Sequence, residues 1–147
     1  ADAAGGSATV LNAVVGAAWT TLRSVQVNNF VPGSTRHCTA VGSSDALNPG
    51  GVAGPLDYRF TLSTVPSPLD NGPCERTLEF YNVPLPPLNR YLLPDNRIKE
   101  VTSTCFIRLP YGQHQIYWLA KKIGGAPNLT VDDSSMTVNC LDVPLPN

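Results

Sequence analysis

The chain has 147 residues, a net charge of −1, and 14% charged against 42% hydrophobic residues. That length suits one domain with a buried core. The charge balance argues against a duplex nucleic-acid binder, which carries a basic excess to neutralise phosphates. No apolar run reaches the roughly 18 residues of a membrane-crossing helix, and Lys121-Lys122 is the sole adjacent basic pair, so no polybasic membrane patch exists.

Residues 1–18 are mostly Ala, Gly, Ser and Val, with one charge, Asp2. The start at Ala1-Asp2-Ala3, without an initiator Met, leads us to expect a secreted chain after signal-peptide removal. Val10, Leu11, Val14, Val15 and Ala18 fit a short helical stripe, and the same residues fit an extended strand. This apolar segment is expected to serve either as the first strand of its own domain or as a strand given to a neighbouring subunit. Residues 19–147 are expected to form a single β-sandwich.

Weaker strand signals lie at Thr20–Val27 and Arg36–Gly42. Leu56, Tyr58, Phe60 and Leu62 alternate with Asp57, Arg59, Thr61 and Ser63, the period of two of a half-buried strand. Arg76–Val83 is another weak run. Val101, Cys105, Ile107 and Leu109 share one face of a long strand. Gln113 to Ile123 is apolar on both sides, with Ile116, Trp118 and Ala120 on one and Tyr117 and Leu119 on the other. Such a strand is central or covered, and Trp118 is assigned to the core. Leu129–Val131 precedes Asp132-Asp133-Ser134-Ser135, which reads as a hairpin turn. Met136, Val138 and Cys140 form the inner face of a last strand.

Turn chemistries such as Pro32-Gly33-Ser34, Asn48-Pro49-Gly50-Gly51 and Asn71-Gly72-Pro73 separate these runs. The 14 prolines fall in the breaks. The stretches 83–89 and 143–147 both contain Val-Pro-Leu-Pro and are expected as extended polyproline-like arms. The expected fold is all-β: an antiparallel, jelly-roll-like sandwich of about seven to eight strands.

The cysteines are Cys38, Cys74, Cys105 and Cys140, with no C-x-x-C pair. Even number and wide spacing favour two disulfides in an oxidising compartment over zinc or thioredoxin chemistry. If Arg76–Val83 pairs antiparallel with Ile98–Leu109, Cys74 falls opposite Cys105, leaving Cys38 with Cys140.

Nothing resembles catalytic machinery. A nucleophile needs a base in reach and a group to orient it. His37 stands beside a disulfide cysteine, His114 stands beside a turn, and no G-x-S-x-G elbow is present. Glu75, Glu79, Glu100, Asp132 and Asp133 are the candidates for a carboxylate pair of the kind that hydrolyses glycosides; Glu75 and Glu79, four apart, read instead as solvated charge. Asp132 and Asp133 are also calcium candidates, although no D-x-D-x-D-G loop surrounds them. Tyr91 and Tyr111, placed in loops, and Trp19 are candidates for a ligand platform, because sugar-binding faces present flat rings beside polar groups. Asn128 heads the sole N-x-T sequon.

These readings converge on a non-enzymatic extracellular structural or adhesion module, able to serve as a self-assembling surface or filament subunit. A carbohydrate-binding module is the alternative, and a small secreted hydrolase comes third. No cofactor is expected. The expected partner is the chain itself, then polysaccharide, with no nucleic acid.

Overall fold

The computed structural model describes the backbone of residues 2–8, 13–85, 91–93, 95–141 and 143–147, and the side chains of 13–84, 95–141 and 143–147. These residues form strands β1 (Asp2–Ala8), β2 (Ala13–Val15), β3 (Thr20–Asn29), β4 (Ser34–Leu47), β5 (Gly54–Ser63) and β6 (Arg76–Leu85). They continue with β7 (Tyr91–Leu93), β8 (Ile98–Leu109), β9 (Gly112–Lys122), β10 (Leu129–Cys140) and β11 (Leu145–Pro146). No helix occurs among the described residues.

One sheet has the order β1-β10-β4-β8, with β2 on β10 and β11 on β4; the other runs β3-β9-β5-β6-β7. All pairings are antiparallel. Four of them nest: β1 with β10, β3 with β9, β4 with β8 and β5 with β6. A long hairpin whose successive pairs alternate between two sheets is a jelly roll.

The core explains why these residues make this roll. Tyr58, Phe60, Phe80 and Trp118 from the second sheet are fully buried. Facing them, β4 presents small residues on alternate positions: Ala40, Gly42, Ser44 and Ala46. Gly42 accepts the Trp118 ring so closely that a Cβ there would lie 2.4 Å from Cδ2. The indole Nε1 donates to Ser44 Oγ at 2.8 Å, and that hydroxyl sits 2.8 Å from Ser134 Oγ. The buried N–H therefore has a partner without any charge entering the core. β9 lies between β3 and β5, as its two apolar faces require. Leu119, on its outer face, is as buried as Trp118. The connection between β5 and β6 folds back toward that side: Trp19 Nε1 donates to Pro68 O at 2.9 Å and Lys121 pairs with Asp70.

Both disulfides are present, Cys38–Cys140 and Cys74–Cys105. The first joins directly opposed residues of β4 and β10. The second has a different basis from the one the sequence suggests. β6 does not pair with β8, because the two belong to opposite sheets. The bond instead ties the connection ahead of β6 to the inner face of β8, and Ser103 Oγ donates to Cys74 O at 2.7 Å beside it.

Three local expectations are corrected. Asp132-Asp133-Ser134-Ser135 is no turn: it lies within β10, with a register irregularity between Val131 and Asp133. Ser134 is buried on the inner side and bonds Ser44, so its polarity serves the core. Tyr91 opens strand β7 opposite Leu85 and is not in a loop; its side chain lies outside the described residues. The 83–89 stretch is no free arm at its start, since 83–85 belong to β6, while residues 86–90 lie outside the described residues. At the C-terminus, β11 pairs with Ser34 and Thr35. At the N-terminus, β1 and β2 run along β10 of the same chain, while Val10 and Leu11 fall outside the described residues.

Candidate binding face

β8, β4 and β10 place alternate side chains on the outer face of the first sheet, and the register aligns them in rows. From one end the rows on β4 and β8 are His37–Arg108, Thr39–Phe106, Val41–Thr104, Ser43–Thr102 and Asp45–Glu100. β10 adds Asn139 beside Thr39, Thr137 beside Val41, Ser135 beside Ser43 and Asp133 beside Asp45. Eight residues of β4 separate the first row from the last, so the face is roughly 26 Å long at about 3.3 Å per residue.

Phe106 is 84% exposed on this face, the most exposed aromatic ring among the described residues. It overhangs a shallow depression of about 490 Å³ lined by His37, Thr39, Arg108, Asn139 and Leu141 among others. The centre of the face is neutral and hydroxyl-rich, with Ser43 Oγ 3.2 Å from Thr102 Oγ1. The two ends carry opposite charge. Burial pushes the Asp45 carboxyl above the usual range, and the negative charges of Glu100, Asp133 and Asp132 push it further.

Two of the residues proposed as a ligand platform, Trp19 and Tyr111, do not meet. Trp19 stands just ahead of β3, its ring under the Lys121 ammonium at 4.8 Å. Tyr111 lies in the β8–β9 turn, 59% exposed, with Phe30 edge-on at 6.5 Å. Ten residues of β3 lie between the two ends, which places the rings about 30 Å apart. Asn128 is exposed in the β9–β10 connection. Asp132 and Asp133 gather no third ligand, since no group of three or more His, Cys, Asp or Glu side chains that could hold a metal occurs among the described residues. All four cysteines are oxidised.

Among the described residues neither histidine is hydrogen-bonded to a Ser, Thr or Cys side chain. The His114 ring bonds Pro110 O at 2.8 Å, which clasps its own turn. His37 stands on the open face.

Two arrangements escaped the sequence reading. Phe106 is one, although its signal is visible: it is out of phase with Val101, Cys105, Ile107 and Leu109. The other is Asp57 with Glu79, directly opposed on β5 and β6. The Asp57 carboxyl raises the Glu79 pKa, first through a side-chain hydrogen bond and then, after burial, through its charge.

The chain matches no protein-family model, no curated protein and no solved structure.

Proposed function

We propose that the protein is a non-enzymatic extracellular structural or adhesion module that works through the outer face of the β1-β10-β4-β8 sheet. The observation that carries this reading is Phe106, 84% exposed on a rigid sheet face and flanked by Arg108, His37, Thr39 and Asn139. A large apolar ring held in water lowers its free energy when a partner covers it. The Cys38–Cys140 bond fixes two of the strands beneath the face, so little conformational entropy is lost on docking. Two disulfides and the lack of a membrane-spanning helix among the described residues are compatible with an extracellular setting. Jelly rolls serve assembly subunits and lectins alike, so the fold selects neither.

A carbohydrate-binding module is the second reading, favoured by the same exposed ring beside hydroxyl, amide and guanidinium groups. The test compares wild type with Phe106→Ala on immobilised copies of the chain, on a glycan array, and against ester, glycoside and peptide substrates. Retention on either surface, lost in Phe106→Ala without turnover of any substrate, supports the proposal. Retention on neither overturns it, as does turnover that disappears with His37→Ala or His114→Ala.

A further inference from the structure

We propose that the Phe106 face docks on a second copy of the chain, in a two-fold, face-to-face dimer whose axis crosses the Val41–Thr104–Thr137 row. The inference rests on the reading that this face is the working surface, and it names the occupant.

Charge complementarity within one face carries it. Arg108 and His37 stand four residues to one side of the Val41–Thr104 row, and Glu100 and Asp45 stand four residues to the other. A half-turn about an in-plane axis perpendicular to the strands keeps each strand over its own copy and reverses its direction. Arg108 then lies over the partner subunit's Glu100, and His37 over the partner subunit's Asp45. Symmetry repeats both contacts. None of these four groups has an ion pair among the described residues. The carboxylates crowded at the acidic end gain a cation from the partner, where the described residues of their own chain form no ion pair with Asp45 or Glu100.

The apolar and neutral residues fit the same operation. Phe106, two residues off the axis, falls over the Ser43–Thr102 row of the partner and is covered. Four strands at about 4.8 Å and a length of roughly 26 Å give about 500 Å² per copy, near 1,000 Å² in total, the lower bound of a specific interface. The dimer is therefore reversible and concentration-dependent.

Sedimentation velocity over a concentration series tests it. Wild type is expected to pass from monomer to dimer. Arg108→Glu and Glu100→Arg are each expected to weaken dimerisation at least about tenfold, and the double variant to recover most of it, because the swap restores both pairs. Thr137→Cys, on the axis, is expected to give a disulfide-linked dimer on a non-reducing gel, whereas Ile98→Cys, far from the axis, is not. A wild type that stays monomeric near about 1 mM, or a double variant no better than its parents, overturns the dimer. Glycan-array retention lost with Phe106→Ala in that monomeric protein would leave the face as the working surface and make a saccharide its occupant.

Discussion

At the scale of single residues, the fit between Gly42 and Trp118 fixes the distance between the sheets. No sequence rule for strands favours glycine in the middle of a long strand, yet here any side chain would collide with the indole. Gly42→Ala must displace a fully buried ring, and overpacking of this kind costs about 1–3 kcal/mol. A urea midpoint lowered with unchanged slope is the expected result. Asp45 gives a prediction of opposite sign. Its pKa is raised in the fold from the ordinary 3.8, so the folded chain holds this proton to a higher pH than the unfolded chain does. Stability then falls as pH rises through that window. Asp45→Asn should raise the melting temperature of the dilute monomer at neutral pH, and the gain should vanish as pH falls below the ordinary carboxylate value. A gain that persists in acid would show that burial of the Asp45 charge and its crowding by Glu100, Asp133 and Asp132 are not its source.

At the scale of strands and bridges, legibility followed hydrophobic phase. β5 and β9 are plain because their inner residues alternate without interruption, and β8 because only Ser103 breaks its apolar inner row. β4 and β10 were shortened in the reading because their inner faces turn polar midway, at Ser44 and Ser134, where the indole N–H of Trp118 needs acceptors. Ser-Ser-Asp and Asp-Asp-Ser-Ser look like turns locally, and only the partner strand shows otherwise. The candidate face is obscured in the sequence for a related reason: Phe106 stands between Cys105 and Ile107, inside the apolar row that Val101, Cys105, Ile107 and Leu109 form. The disulfide partners were legible by elimination, but not the sheets that they join. Their weights should differ. The bonded residues are 102 apart for Cys38–Cys140 and 31 apart for Cys74–Cys105. Loop-closure entropy then assigns about 5 and about 4 kcal/mol respectively. Paired Cys→Ser variants measured by urea denaturation should lose stability in that order; a reversed order would mean that local packing around Cys74 outweighs chain entropy.

At the scale of the whole molecule, the nested hairpin assigns each strand a rank. β5 with β6 is the innermost pair, and β1 with β10 is the outermost and most distant in sequence. The apolar N-terminal segment could, on its composition, have belonged to a neighbour; here Asp2–Ala8 closes the roll along β10. An outermost pair contributes ladder hydrogen bonds, while the three inner pairs and both disulfides do not depend on it. Deleting residues 1–8 should therefore leave a cooperatively folded chain without free thiols. The urea midpoint should drop by the equivalent of about 1–3 kcal/mol, since each ladder bond contributes little net stability and an edge strand shields only part of the core. The deletion also uncovers the backbone of β10, a template for pairing with other chains. Light scattering should then report association that Arg108→Glu does not reverse, because it arises at the sheet edge and not on the sheet face. A truncated chain that fails to fold would show that β1 is integral to the core; one that folds but stays as dispersed as the parent would show that β10 is covered by something other than β1.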